Sequence, residues 1–362
     1  MLDIKAHLRS LVEAHGPSGH EGPVREIVRE AWSDLVDDFD VDGLGSLIGV
    51  KRATHPIEGG EARKIMLAAH MDEIGMMVRD VVDGFVFVHR ISGVDNRVML
   101  SQTVMVHGRK PLSGIVAAKP PHMLDAASRK KYPTFDELVI DVGLHPDEVA
   151  ELVQPGDLIT VDVPMIDLNG GKVAAKAMDD RACVAIVTAC LDLLQGMNHS
   201  WDVYATATVQ EETGLFGAAT AAYRIQPDVA IALEGTTAHD LPDPNADPDQ
   251  NLDVNPTCKV GDGPALTVMD ASMIAHPKLL KFVQKTATDN NIPYQFKTSR
   301  GGGTDAGGIH ITDGGIPATV ISMPCRYIHS PAALMSREDY ASGLKLIQAV
   351  LQSITFDDFS AY

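Results

Sequence analysis

The sequence is poor in cysteine and in basic residues, and it lacks long apolar runs. Four cysteines in 362 residues show neither CxxC spacing nor the density of a disulfide scaffold, which favours a reducing, cytoplasmic location. Lys and Arg total 30 against 49 Asp and Glu, a net charge of −19, and no basic patch is visible. Such a chain repels a phosphate backbone, so we expect no nucleic-acid partner. The amino terminus lacks the apolar core of a signal peptide, and no uncharged run approaches the ~18 residues of a membrane span, so no membrane partner is expected either.

The length and the hydrophobic content favour a folded protein of two domains. Domains cluster near roughly 100 to 200 residues, so 362 residues exceed one small domain. Hydrophobic residues make up 45% and charged residues 22%, which is ordinary globular usage. This composition excludes collagen-like, coiled-coil and wholly disordered proteins.

Two hydrophobic patterns divide the chain. The continuous apolar run at 65–69 predicts a strand buried on both faces, and after residue 170 strands alternate with helices, which predicts a mostly parallel sheet covered by helices. Between them, short β-rich runs separated by Gly, Pro and Asp predict a small β-barrel or sandwich. We therefore predict an α/β fold with one domain of 1–73 and 167–362, interrupted by an inserted β-domain of 74–166. The Pro- and Asp-rich segment 240–263 is predicted to be a long loop.

The chemically informative residues stand where predicted strands end. They are His70 and Asp72 after IMLAA, Glu211 and Glu212 after VYATATV, Glu234 after VAIAL, and His329 after ATVISMP, joined by Asp179 at the entry to an apolar helix. In open α/β sheets, ligands bind beyond the carboxyl ends of the strands, so we expect these side chains to converge in one crevice.

So many carboxylates in one crevice require a cation. Two imidazoles and several carboxylates suit Zn²⁺, Co²⁺ or Mn²⁺, and a dinuclear site needs one carboxylate that bridges. Asp72, two residues after His70 on an extended strand, is predicted to hold the other ring nitrogen of that histidine. Neighbouring side chains of an extended Glu211–Glu212 pair would point to different sides, so one would bind metal while the other acts as general base toward a metal-activated water. This chemistry indicates attack on an amide carbonyl.

Each motif also has a purely structural interpretation. Asp179 and Asp180 are suited to capping a helix, the glutamate pair is typical of a solvated helix start, and Glu234 would simply end a strand. It is their joint occurrence at successive strand ends that favours a site. The glycine-rich segment 299–308 lacks the ending of a phosphate-binding loop, and two interpretations stay open: a plain loop, or a substrate-pocket wall that includes Arg300, Gly302, Gly303, Thr304 and Asp305.

Six short motifs in order resemble the M42 family of cocatalytic metallo-aminopeptidases, which includes the tetrahedral TET peptidases and relatives described as endoglucanases or glutamyl aminopeptidases. The motifs are AHMDE at 69–73, AMDDR at 177–181, QEETG at 210–214, ALEGT at 232–236, GGGTDAG at 301–307 and RYIHSP at 326–331. The similarity spans nearly the whole chain and includes GPSGHEGPVR near its start.

The resemblance implies a zinc-peptidase-like catalytic domain with an inserted PDZ-like dimerisation barrel. It implies two divalent ions per chain, Zn²⁺ first and Co²⁺ or Mn²⁺ as alternatives, with these roles: Asp179 bridges them, His70 and Glu234 complete one site, Glu212 and His329 complete the other, Glu211 is the general base and Asp72 orients His70. It further implies dimers that assemble into a dodecamer with the active sites facing an inner cavity. Many members carry Asp at the position of Glu234, so metal spacing or preference is expected to differ here.

The expected function is removal of amino-terminal residues from short peptides. A related metal-dependent amidohydrolase, a deacylase or carboxypeptidase, is the alternative, and a requirement for a free substrate amine separates the two. A non-catalytic scaffold is disfavoured by the intact ligand set. Endoglucanase activity is not expected, because carboxylates committed to metal cannot also serve as the acid and base of a glycosidase. Arg300 beside the glycine loop predicts a preference for acidic side chains.

Overall fold

The computed structural model describes residues 3–56, 62–242, 258–354 and 359. Its strands are β1 Asp38–Val41, β2 Leu47–Lys51, β3 Lys64–His70, β4 Gly75–Val82, β5 Phe85–Ile91, β6 Thr103–His107, β7 Pro111–Val116, β8 Val139–Asp141, β9 Leu158–Val161, β10 Ile166–Leu168, β11 Lys172–Ala175, β12 Asp202–Thr208, β13 Val229–Thr237, β14 Ala265–Thr267, β15 Gln295–Lys297, β16 Ala318–Cys325 and β17 Ala333–Ser336. Its helices are α1 Ile4–Glu13, α2 Gly22–Trp32, α3 Asn96–Met99, α4 Pro146–Leu152, α5 Met178–Leu194, α6 Glu211–Gly214, α7 Phe216–Ile225, α8 Pro277–Asp289, α9 Asp305–His310 and α10 Arg337–Ser353, with 3₁₀ turns at Pro121–Met123, Ser128–Lys130 and Phe135–Glu137. Most of the loop predicted at 240–263 lies outside the described residues, which omit 243–257.

The main sheet has eight strands in the order β1-β2-β12-β3-β13-β16-β14-β15. Its four central strands, β12, β3, β13 and β16, run parallel to one another. The antiparallel pairings are those of β2 with β1 and β12, and of β14 with β16. The predicted mostly parallel sheet is therefore confirmed at its centre, where all four carboxyl ends reach one edge.

Both faces of the sheet are buried, as the continuous apolar run predicted. Ile65 and Leu67 of β3 pack into one core with α1, α2, α5 and α10, whereas Met66 and Ala68 pack into a second core with α7 and α9. Alternate side chains of a strand point to opposite faces, so a strand covered on both sides must be apolar at every position.

The residues between β3 and β10 form a closed antiparallel barrel in the order β4-β5-β8-β7-β6-β9. Its own core contains Val86, Val104, Ile140 and Ile159, among others. The structure thus selects a barrel over a sandwich, and it confirms the fold class of a helix-flanked α/β sheet with an inserted barrel. The barrel strands fall within the predicted insert of 74–166, and the domain boundaries stay a prediction.

In the described ranges, no helix combines the length and the apolar character that crossing a membrane requires.

Candidate metal centre

The four central strands deliver polar side chains to one edge of the sheet. His70 is the last residue of β3, and Glu234 lies in the second half of β13. Helix α6 opens at Glu211, just after β12 ends, and His329 lies in the turn that follows β16. The structure therefore brings together the side chains that the strand-end pattern grouped.

The glutamate pair has a different backbone from the one predicted. Gln210 has a left-handed φ of 55°, and Glu211 and Glu212 then open a short helix instead of continuing an extended chain. Consecutive helical residues are rotated by about 100°, so the two side chains still diverge. Neither is solvated, because their side chains are only 11% and 5% exposed. The prediction of separate positions was right, but its extended geometry was wrong.

Asp179 lies between the two histidines. Its Oδ1 is 3.5 Å from Nε2 of His70, and its Oδ2 is 3.3 Å from Nε2 of His329. The same nitrogen of His329 lies 3.4 Å from Oε1 of Glu212, while Nε2 of His70 lies 3.8 Å from Oε2 of Glu234. One carboxylate thus presents an oxygen to each half of the site.

Among the described residues, three sets of side chains have ligand atoms within 4.8 Å of one another. The sets are His70 with Glu211 and Glu234, Asp179 with Glu212 and His329, and Asp179 with Asp180 and Glu234. We call the six residues His70, Asp179, Glu211, Glu212, Glu234 and His329 the acidic cluster. Asp180 is an additional candidate that the sequence interpretation treated only as a helix cap.

Asp72 contacts three residues of the acidic cluster, His70, Glu211 and Glu212. Nδ1 of His70 is 3.1 Å from the backbone oxygen of Asp72 and 3.4 Å from its carboxylate Oδ1. The carboxylate also accepts hydrogen bonds from the backbone N–H groups of Glu211 and Glu212, at 3.0 and 3.1 Å, and from the hydroxyl of Ser18 at 2.6 Å. It therefore positions the glutamate pair as well as the histidine that the sequence assigned to it.

The electrostatics of the cluster reflect an excess of buried carboxylates. Burial raises the pKa of Glu212 to about 7, and burial together with Glu211 raises the pKa of Glu234 well above its usual value. Burial alone would lower the pKa of His329, but contact with Asp179 and Glu212 raises it to about 9. These three shifts reduce the net negative charge, as expected where buried carboxylates outnumber cations, whereas contact with His329 and His70 outweighs burial and lowers the pKa of Asp179.

Several buried oxygens of the site have no hydrogen-bond donor among the described residues. They are Oε1 of Glu212, Oδ1 of Asp180 and Oδ1 of Asp305. A buried polar atom without a partner costs free energy, so a cation beside Glu212 and Asp180 would satisfy what the chain does not. The donor set of imidazole nitrogens and carboxylate oxygens fits a divalent transition metal.

Comparison with known proteins identifies the family of the chain. A sequence model described as M42 glutamyl aminopeptidase matches residues 45–346. The chain belongs to the M42 peptidase family. A putative aminopeptidase of Acetivibrio thermocellus is 38% identical over 96% of this chain and 97% of its own length. The TET aminopeptidase structure from Thaumarchaeota archaeon SCGC AB-539-E09 is 35% identical with a TM-score of 0.89, covering 98% of both chains. The TET1 peptidase of Pyrococcus horikoshii is 28% identical with a TM-score of 0.83, covering 97% of this chain and 100% of its own.

Membership in the M42 family confirms the predicted resemblance and makes the chain a peptidase, a hydrolase of peptide bonds. The relatives match it over almost its whole length, barrel included. The position of Glu234, where an Asp was expected from the family pattern, still places a carboxylate beside His70.

A cavity of about 610 Å³ opens over the acidic cluster of this M42 peptidase. Gly302, Gly303 and Thr304 line it, but Arg300 is exposed and is not among the described lining residues. Lys297, 8% exposed, lines the cavity, and its ammonium donates to the Gly301 carbonyl at 3.2 Å.

Asp305 lies behind the cavity wall. It is fully buried, its backbone N–H donates to Oε1 of Glu234 at 2.8 Å, and its carboxylate accepts from the hydroxyl of Thr208. Burial raises the pKa of Asp305 to about 6. These contacts connect it to a cluster residue, and Asp305 is not among the described residues that line the cavity.

Sequence reasoning missed a second group of buried charges. Glu73 pairs with Lys176 at 2.8 Å and with Arg181 at 3.2 Å, and all three side chains are at most 3% exposed. We call these three residues the balanced cluster. Glu73 ends the AHMDE motif, but no local signal identifies its partners, because Lys176 lies 103 residues away.

Proposed function

We propose that this peptidase is a dinuclear metal-dependent aminopeptidase that removes amino-terminal residues from short peptides. The observation that carries the proposal is the position of Asp179, whose two oxygens face the two histidines at 3.5 and 3.3 Å. A carboxylate shared in this way is what a pair of metal ions requires. His70 and Glu234 would complete one site, and Glu212 and His329 the other.

The ligand types favour Zn²⁺ and also accept Co²⁺ or Mn²⁺. When bound, two such ions would polarise the substrate carbonyl and make water more acidic at neutral pH. The excess negative charge of the cluster supports this proposal, because a pair of divalent cations would offset it.

Glu211 is the proposed general base. Its Oε2 lies 3.7 Å from His70 Nε2, and its backbone is fixed by the hydrogen bond to Asp72. Burial raises the pKa of Glu211 well above its ordinary value, and Asp305 adds to this effect while His70 opposes it. A carboxylate with a raised pKa accepts a proton from the attacking water and passes it to the departing amine.

A peptide with a free amino terminus suits this site, because the lone pair of the amine nitrogen could bind one of the two ions. Gly302 and Gly303 leave room for a backbone to approach the cavity wall. In an acetylated amino terminus the nitrogen lone pair is delocalised into the amide, so this binding would be lost. The free amine is therefore the proposed recognition element, and it separates an aminopeptidase from a deacylase or carboxypeptidase.

Self-association is proposed through the barrel. The TET1 peptidase of Pyrococcus horikoshii is described as assembling into a tetrahedron or a large octahedral shell. In this chain, apolar side chains on three barrel strands are exposed: Val82, Phe85 and Ile115. We infer dimers formed by this surface, assembling further into a dodecamer. Light scattering should give a multiple of the chain mass, and a Phe85→Glu variant should be smaller; a monomeric wild type would contradict the proposal.

The experiment that tests the function uses chelator-treated protein and a panel of aminoacyl p-nitroanilides with matched N-acetylated peptides. Zn²⁺, Co²⁺ or Mn²⁺ is then added back separately, with calorimetry recording how many ions bind. Cleavage that needs both a metal and a free amine is expected. Cleavage of the acetylated substrates alone would instead assign a deacylase. No cleavage despite two bound ions per chain would favour a non-catalytic scaffold.

A further inference from the structure

The barrel contributes one residue to the cavity, and that residue lies against a proposed metal ligand. Gly93 belongs to the connection between β5 and α3, yet it lines the cavity together with His329. A Cβ atom built on Gly93 would lie 2.5 Å from Nδ1 of His329 and 2.9 Å from its Cε1. Both distances are far shorter than van der Waals contact, so any side chain here would displace either the ring or the loop.

Backbone conformation does not explain the glycine. The glycines of this chain with positive φ include Gly84 and Gly143 in the barrel, and Gly93 is not among them. Its turn would accept other residues, so the contact with the ring is what demands the absence of a side chain.

Both partners have contacts that oppose a movement apart. Val94, next to Gly93, is buried in the barrel core, and Asp95 caps α3 by accepting a hydrogen bond from the Arg97 N–H at 2.9 Å. On the other side, Nε2 of His329 is held between Asp179 and Glu212, at 3.3 and 3.4 Å. A rotated ring would lose at least one of these contacts.

We propose that Gly93 is a positioning residue through which the barrel sets the imidazole of His329, so that barrel and sheet together build the second metal site. The inference rests on the proposed metal function. It gives the barrel a part in the active site that is separate from any role in self-association.

The test is metal binding by the intact Gly93→Ala variant, measured by calorimetry with Zn²⁺ or Mn²⁺ on chelator-treated protein. One equivalent should bind as in wild type, whereas the second should weaken by about 10- to 100-fold, the range for disturbed support of a metal ligand. Gly43→Ala is the matched control, because nothing lies within 4 Å of its Cβ position and its φ is not positive. Thermal unfolding of the metal-free variants should match wild type, which verifies that the barrel is intact.

A double-mutant cycle isolates the contact. In a His329→Ala background, Gly93→Ala should change metal binding no further, since the ring it would meet is gone. Undiminished binding of both ions by Gly93→Ala overturns the inference, and so does an equal loss in the His329→Ala background. A wild type that binds no metal would instead refute the metal proposal itself, and this inference with it.

Discussion

Two buried charge clusters differ in how their charges are matched: the balanced cluster comes wholly from segments 69–73 and 175–181, and the same two segments supply His70 and Asp179 to the acidic cluster. In the balanced cluster, Glu73 meets two cations, and Arg181 also donates to the backbone oxygens of Met71, Leu11, Ala14 and Gly16. In the acidic cluster, four carboxylates meet two imidazoles. The carboxylate of the first is matched by cations within the chain, whereas in the second the carboxylates outnumber the imidazoles.

The pKa directions follow this difference. Burial raises the pKa of Glu73, but Lys176 and Arg181 outweigh it, so the net shift is downward. Burial raises the pKa of Glu234, and the neighbouring Glu211 raises it further. The pKa values of two similarly buried glutamates therefore shift in opposite directions because their neighbouring charges differ. A matched buried cluster indicates a structural role, and an unmatched one indicates a ligand.

The largest expected effect, a loss of activity, should come from Glu211→Gln in the acidic cluster. The amide cannot accept the proton from water, so the rate of peptide hydrolysis should fall by about 10²- to 10⁴-fold. The number of ions bound should stay at the wild-type value, because Glu211 is proposed as base and not as ligand. Steady-state kinetics and calorimetry on the same preparation check both statements, with the exposed Glu26→Gln as control. Loss of one ion along with activity would make Glu211 a ligand.

Glu73→Gln should break the balanced cluster and act on stability instead. It leaves Lys176 and Arg181 buried without their carboxylate, which costs about 3–5 kcal/mol in the free energy of unfolding. Urea unfolding measures this cost, and Glu26→Gln should stay within about 0.5 kcal/mol of wild type. The protein that remains folded should still bind the wild-type number of ions. A loss below 1 kcal/mol would show that the cluster is not the structural element described here.

Most of the fold could be predicted because its signals are local. The apolar run of β3 stands within seven residues, and Ser336 caps α10 from the position directly before the helix. The choice between barrel and sandwich was not local. Closure of the barrel depends on the pairing of Met76 with Ile159, and these two residues are too far apart in the sequence for a local pattern to predict their contact.

The acidic cluster could be proposed from the sequence because strand ends share one edge of a parallel sheet. The position of Lys297 in the cavity wall could not be predicted from the sequence. Arg300 and Lys297 are three residues apart. Lys297 is the last residue of β15 and lines the cavity, whereas Arg300 lies beyond the strand and is exposed. Contacts of Gly93 and of Glu73 were likewise invisible, because their partners come from distant parts of the chain.

Lys297 sharpens the comparison by placing one cation beside the acidic cluster. A buried ammonium at the cavity wall would favour a substrate with an acidic first side chain. Lys297→Met should therefore lower the kcat/KM ratio of glutamyl to leucyl substrates by about tenfold, equivalent to ~1.4 kcal/mol. Arg300→Met, the matched cation outside the cavity lining, should change that ratio less. An equal or larger change for Arg300→Met would instead support the sequence-based prediction that Arg300 sets the preference for acidic side chains.

The smallest expected effect is a gain in stability from Glu234→Gln in chelator-treated protein. The folded-state pKa of Glu234 is raised above its unfolded value, so its ionisation penalises folding above the unfolded pKa of about 4.5, and the penalty disappears below that pH. Gln removes it and keeps an oxygen able to accept the Asp305 N–H. The midpoint temperature of thermal unfolding at pH 8 should rise by about 2–4 °C, which corresponds to about 1 kcal/mol in the free energy of unfolding. This gain should vanish at about pH 4. With Zn²⁺ added the order should reverse, since wild type gains more binding free energy than the variant. A destabilised variant at pH 8 without metal would mean that this carboxylate is already matched within the chain, and the distinction between the two clusters would fail at Glu234.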